Sequence, residues 1–348
     1  MTTEKLRIVF MGTPEFAVGI LDALIADNQN IVGVITAPDR PSGRGRKLTP
    51  SAVKKVAIEK NIPVLQPTNL KNKVFLTELK ELNADLQIVV AFRMLPKVVW
   101  SMPKKGTFNL HASLLPQYRG AAPINWAIIN QEKKTGVTTF FIDEKIDTGE
   151  IIDAKEVKIK PNETIGSLHD TLKDLGSILV VETVHKISSG PIITKPQPKG
   201  DNFKKLKLNE APKLTPENTY IDWTKSGEEI NAFVRGLNPY PGAWSFMKED
   251  TDEDSKNLKV KLFEVNKLPI AISEIEIEQL NAILELGKDK VTGELFVIGK
   301  KLYIKSSSET LEILEIQLPG KRRMKTKDLL NGYSFKPKAK MIVKPHSH

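Results

Sequence analysis

Three short runs, LRIVFM at 6–11, IVGVIT at 31–36 and LQIVVAF at 86–92, are apolar and rich in β-branched residues. Stretches with helical spacing, EFAVGILDALIADN and PSAVKKVAIEKN, lie between or beside them. Continuous apolar strands that alternate with helices specify a parallel sheet covered on both faces. GVTTFFID at 136–143 and IIDAKEVKI at 151–159 add further strands, and ETIGSLHDTLKDLGSILVVETVHKISSG reads as a long helix that closes the domain at Gly190. The fold class expected for residues 1–190 is therefore α/β, Rossmann-like. GTPEF after the first strand lacks G-x-G-x-x-G, so the pattern does not support nucleotide binding.

Beyond Gly190 the pattern changes. Residues 191–214 are proline-rich with little apolar periodicity and read as a linker. SGEEINAFVRGLN then has the look of a helix, and AWSFM, VKLFEV, GELFVIGKKLYIKS and LEILEIQL read as strands joined by turns. A second, β-rich domain over 215–335 is expected, with which an OB-like β-barrel is consistent, followed by a basic tail at 336–348. Other small β-folds fit the same pattern. EDTDEDSK at 249–256 reads as an acidic hairpin tip or loop.

The chemistry collects in NLHASLLPQYRGAAP and in IDTGE. GTFNL at 106–110 reads as a strand, where residues two apart share a face, so Asn109 and His111 point the same way. An amide donor beside an imidazole suits stabilisation of an oxyanion formed when a nucleophile attacks a carbonyl. A carboxylate at Asp147 can hold the imidazole in one tautomer or take a proton through water. The 348-residue chain has no cysteine, and Ser113 is followed by Leu114, Leu115 and Pro116 rather than set in a G-x-S-x-G elbow. An acyl-enzyme is therefore not expected; one substrate attacks the other directly. DTG alone is a turn signal, and no paired Asp turn or all-β pattern supports an aspartic protease.

Charge points to a partner. The net charge is +10, with basic residues gathered in the first 150 and last 48 positions, which attracts phosphates at long range. PDRPSGRGRKLTP sets Arg40, Arg44, Arg46 and Lys47 among glycines and prolines, too irregular for a helix and expected to be pliable until a partner is met. KRRMKTKDLL carries Lys321, Arg322 and Arg323, either a solvated run or part of an RNA-tracking groove. Only five histidines and no cysteine argue against a His/Cys metal site. No apolar run reaches spanning length and MTTEKLRIVF does not read as a signal peptide, so a cytoplasmic location away from membranes is expected.

NLHASLLPQYRGAAPINWAI, FIDEKIDTGEII and LRIVFMGTPEFA together resemble the formyltetrahydrofolate-dependent formyltransferases. TAPDRPSGRGRKLTPSAVK and IDWTKSGEEINAFVRGLNPYPGAW resemble the branch of that family that acts on methionyl-tRNA. The resemblance runs from about Leu6 to about Leu330. It implies that Asn109, His111 and Asp147 are the catalytic trio. It also implies that Ser113, Leu114, Leu115 and Pro116 line the folate site together with the segment bearing Phe92 and Met94. Many relatives have VVVAYGQILP where this chain has the shorter VVAFRMLP, so its pteridine contacts differ in detail. The implied reaction moves the formyl group of 10-formyltetrahydrofolate, a cosubstrate, to the α-amino group of methionyl initiator tRNA, without a metal and with no obligate protein partner evident. The arginine loop is implied to meet the acceptor end of the tRNA. Glycinamide ribonucleotide formyltransferase and the formyl-folate hydrolase share the N-x-H and DTG core but lack this combination of arginine loop and C-terminal β-domain. Sugar-amine formyltransferases, some with a similar β-domain, are the nearer alternative.

Overall fold

The computed structural model describes residues 5–42, 47–198, 206–250, 256–268 and 274–343. The chain divides into two compact units. The first takes in Met1–Pro123, Lys134–Lys158 and Leu168–Pro212, and the second Ile124–Lys133, Ile159–Ser167 and Lys213–His348.

In the first unit the strands are β1 (Arg7–Gly12), β2 (Asn30–Ile35), β3 (Arg40–Ser42), β4 (Lys47–Thr49), β5 (Val64–Leu65), β6 (Leu86–Val90), β7 (Thr107–His111), β8 (Arg119–Gly120), β9 (Lys134–Phe141) and β10 (Ile151–Lys158). The main sheet has the order β10-β9-β7-β6-β1-β2-β5. Strands β5, β2, β1, β6 and β7 are parallel, and β9 and β10 add antiparallel pairs at one edge. All five residues of β6 and the apolar residues of β1 from Ile8 onward are buried, as strands covered on both faces must be. Helices α1 (Glu15–Ala26), α2 (Ala52–Glu59), α3 (Lys73–Glu81) and α4 (Lys97–Trp100) fall between these strands.

Strand order reverses at β1. The chain moves outward through β2 and β5, then returns to place β6 on the other side of β1. A crevice opens at the carboxyl ends of strands at such a reversal, and ligands of open α/β sheets sit there. Gly12 ends β1 at this place, where a methyl group would lie 2.6 Å from Ala17 Cβ. Phe92 and Met94 directly follow β6, and Asn109 and His111 end β7. The opposite face of β7 is packed: Leu110 meets the helix α6 (Ile165–Ser188) at Gly176, where a methyl group would lie 2.7 Å from Leu110 Cδ2.

The stretch with linker composition is tied to the first unit. Lys195 bridges Ile151, Gln197 is 3% exposed, and β11 (Glu210–Ala211) pairs in parallel with β8. The arginine-bearing loop is a hairpin at its base, since β3 and β4 pair from Arg40↔Thr49 to Ser42↔Lys47. Arg44 and Arg46 lie outside the described residues.

The second unit is an antiparallel near-barrel. Its strands β12 (Ala243–Lys248), β13 (Leu258–Lys267), β14 (Leu295–Ile298), β15 (Lys301–Lys305), β16 (Thr310–Gln317) and β18 (Lys340–Met341) form the order β14-β15-β16-β13-β12-β18, and β17 (Met324–Lys325) pairs with β16. Glu294 bridges Lys340, and Leu295 N donates to Ala339 O at 2.8 Å, so the two ends of the sheet are joined. Part of the basic tail is thus a strand of this sheet. Helix α7 (Gly227–Leu237) begins with a capping box between Ser226 and Glu229 and buries Ile230, Val234 and Leu237 against the core around Trp223. Helix α5 (Pro123–Ile129) contributes to this unit: Asn125 Nδ2 donates to Gly236 O at 2.8 Å, and Ile129 packs on the core. The remaining helices are α8 (Glu274–Lys288) and α9 (Thr326–Leu329). No helix among the described residues is long and apolar enough to cross a membrane.

Candidate active site

Asn109 and His111 occupy one face of β7 near its carboxyl end, as the two-residue period requires. The Asn109 side chain is half-buried and makes no hydrogen bond with the described residues, so its amide remains available to a ligand. His111 is 6% exposed, and its Nε2 lies 2.8 Å from the carbonyl oxygen of Tyr118. A carbonyl only accepts, so Nε2 carries the hydrogen and donates. Nδ1 is then the ring nitrogen left to act. It faces Asp147 Oδ2 at 3.8 Å, beyond direct hydrogen-bond range but close enough for charge coupling. The tautomer is thus fixed by the Tyr118 carbonyl, not by the carboxylate of Asp147.

Backbone conformations concentrate here. Ala91 after β6, Tyr118 in the loop after β7 and Asp147 between β9 and β10 all have positive φ, at 47°, 59° and 54°. Such conformations are uncommon for residues with side chains and persist where surrounding structure enforces them, often at functional sites. At Tyr118 the conformation accompanies a carbonyl aimed at His111. At Asp147 it sets the carboxylate beside the Gly120 amide, which donates to Oδ2 at 2.9 Å.

The 147–149 turn is held from behind. Gln197 Nε2 donates to the carbonyls of Gly149 at 2.8 Å and Asp147 at 3.1 Å, and its Oε1 accepts from Arg119 Nη2 at 2.6 Å and Nε at 3.2 Å. Burial lowers the pKa of the Arg119 guanidinium, while Asp147 and Asp143 pull it back toward the charged form. Tyr118, Gly120, Arg119 and Gln197 were not singled out from the sequence. The first two act through backbone groups, and Gln197 sits in a proline-rich stretch without a signal of its own.

The other expected site residues are spread along the same unit. Ser113 is fully buried, and its hydroxyl donates to the Gln117 carbonyl at 2.6 Å. Leu115 is 8% exposed, while Leu114 and Pro116 are half-buried. Phe92 packs against the core below β6, whereas Met94 is 70% exposed, an apolar side chain with open surface. Arg93 between them donates to the carbonyls of Pro67 and Thr68.

Arg40 and Lys47 are exposed on the hairpin. Asp39 at its root is fixed by Lys54 at 2.7 Å and by Gln66 at 2.8 Å, hydrogen bonds that lower its pKa below the usual carboxylate value. In the second unit, Lys321, Arg322 and Arg323 are exposed. Arg323 pairs with Glu315 and lies 4.2 Å over the Phe263 ring, and Lys321 lies 5.6 Å over Tyr333. Arg322 makes no side-chain bond with the described residues. No group of three or more His, Cys, Asp and Glu side chains that could hold a metal occurs among the described residues.

A family model described as formyl transferase matches residues 6–184, and one described as formyl transferase, C-terminal domain, matches 213–334. Among solved structures, HypX from Aquifex aeolicus in complex with tetrahydrofolic acid is similar with a TM-score of 0.59 and 17% identity, covering 94% of this chain and 47% of that one. The N-formyltransferase from Helicobacter canadensis in complex with folinic acid and dTDP-3-aminofucose has a TM-score of 0.60 and 18% identity, covering 88% and 98%. At these identities the likeness is one of fold. The methionyl-tRNA formyltransferase of Flavobacterium johnsoniae is 54% identical over 338 residues, 97% of this chain and 99% of that protein. The chain belongs to the formyl transferase family, and within it to the methionyl-tRNA formyltransferases.

Proposed function

We propose that this protein transfers the formyl group of 10-formyltetrahydrofolate to the α-amino group of methionine esterified to initiator tRNA, in the cytoplasm. What supports the mechanism is His111 Nδ1 at 3.8 Å from Asp147 Oδ2, with Asn109 on the same face of β7 as His111, in a chain 54% identical to a methionyl-tRNA formyltransferase.

An α-amine has a pKa of about 8, so a substantial neutral fraction exists near pH 7 and a strong base is unnecessary. As the amine attacks the formyl carbon, charge builds on the formyl oxygen. Donors held at that position lower the barrier most. Asn109 supplies its uncommitted amide, and His111 supplies Nδ1. Asp147, 3.8 Å from Nδ1, takes up the proton the amine releases through a bridging water. The bond from the formyl carbon to N10 breaks as the new amide forms, and N10 takes the proton that Asp147 received, which returns the carboxylate to its starting state.

Phe92, Met94 and the Ser113–Pro116 segment are the proposed walls of the folate site. With Ser113 buried and its hydroxyl committed, that segment contributes backbone and apolar surface rather than the serine side chain. Arg40, Arg44, Arg46 and Lys47 are the proposed tRNA contacts of the hairpin, with Lys321, Arg322 and Arg323 on the C-terminal domain.

Titrating methionyl initiator tRNA at increasing salt tests the substrate class. The affinity is expected to fall linearly on a log–log plot, and Arg40→Ala to flatten the slope by about one. Salt-independent binding, or preferential binding of a nucleotide-linked amino sugar, would favour the sugar-amine alternative.

A further inference from the structure

Gln197 lies in the proline-rich stretch and is 3% exposed. Every hydrogen-bonding position of its amide is used. Both N–H groups go to carbonyls of the 147–149 turn, and the oxygen takes two hydrogen bonds from Arg119. Arg119 stands between the two residues whose backbones meet the site: Tyr118, which receives the His111 hydrogen, and Gly120, which donates to Asp147 Oδ2. One amide therefore couples the loop that orients His111 to the turn that carries Asp147.

We propose that Gln197 is a positioning residue for formyl transfer, clamping these two loops so that Asp147 stays at its observed place opposite His111 Nδ1. This inference rests on the function proposed above. The geometry needs an amide of this length. Glutamate retains the acceptors for Arg119 but has no donor for the two carbonyls when ionised, and leucine has neither. A misplacement of about 1 Å in a catalytic constellation can cost on the order of a hundredfold in rate. Gln197 touches no reacting atom, so a loss of tenfold or more in kcat is expected, with little change in KM for either substrate.

The test compares the full-length protein with Gln197→Leu and Gln197→Glu by steady-state transfer and by amide hydrogen exchange at Gly120, whose N–H is held by Asp147 in the clamped arrangement. Both variants are expected to lose at least tenfold in kcat at near-normal KM, with faster exchange at Gly120 and unchanged exchange in α7. Below neutral pH the glutamate variant should recover relative to the leucine variant as its carboxyl gains a donor hydrogen. Wild-type kcat in Gln197→Leu, or unchanged exchange at Gly120, would overturn the proposal. Loss of protection throughout the chain would also overturn it, in favour of a general folding role. If the wild-type protein transfers no formyl group, the function reading fails on its own, and exchange at Gly120 still decides whether Gln197 holds the loop.

Discussion

Replacing His111 with alanine is expected to lower kcat for formyl transfer by on the order of a hundredfold to a thousandfold, the usual effect of removing one donor aimed at a developing oxyanion. The physical reason lies in how the ring is held. With Nε2 committed to Tyr118 and only 6% of the residue exposed, the imidazole presents Nδ1 in one orientation, and Asp147 lies 3.8 Å from it. Alanine removes that nitrogen together with the hydrogen bond from Nε2 to the Tyr118 carbonyl, at a stability cost of about 0.5–1.5 kcal/mol. Measured at saturating donor and tRNA, with a melting curve to count folded protein, kcat should fall far more than the folded fraction. Near-normal turnover by His111→Ala would remove His111 from the mechanism.

The second large effect is expected at Gly149. A methyl group there would lie inside van der Waals contact of the Phe141 backbone carbonyl, to which no side-chain rotation can give relief. The neighbours on that strand are fixed: Phe141 N donates to the Glu150 carbonyl at 3.0 Å, and Gln197 Nε2 donates to the Gly149 carbonyl at 2.8 Å. Gly149→Ala must therefore displace the turn and with it Asp147. The expected outcome is a loss of about 1–3 kcal/mol, the scale of an overpacked site, together with a fall in kcat comparable to that of removing the Asp147 carboxylate. Urea unfolding followed by a probe within the first unit measures the first, and steady-state transfer the second. A variant with wild-type stability and rate would mean that the turn accommodates a side chain and that its glycine is not required for the site.

What could be read in advance follows from which groups have a letter in the sequence. The strands β1, β2 and β6 are legible because burial on both faces leaves continuous apolar runs. Asn109 and His111 are legible as a pair because a strand repeats every two residues. The Tyr118 carbonyl and the Gly120 amide are backbone groups, which any residue supplies, so nothing in QYRG announces their roles. Gln197 among prolines looks like linker composition, although its four hydrogen bonds make it part of the site. Asn125 and Ile129 follow the site motif directly in sequence, yet they pack in the C-terminal unit. An apolar helix face shows that it is buried, not which core buries it. The two residues of β18 are too few for a periodic signal and are set among lysines. The glycines and prolines of the arginine hairpin predict a pliable loop, while the pairing of β3 with β4 orders its base.

The most direct measurement supplies purified protein with 10-formyltetrahydrofolate and either methionyl initiator tRNA or methionyl elongator tRNA, then quantifies formylmethionine after ester hydrolysis. Rapid formylation of the initiator with strong discrimination against the elongator is the predicted result. No transfer to either tRNA, under conditions in which the donor is intact, would contradict the proposed function.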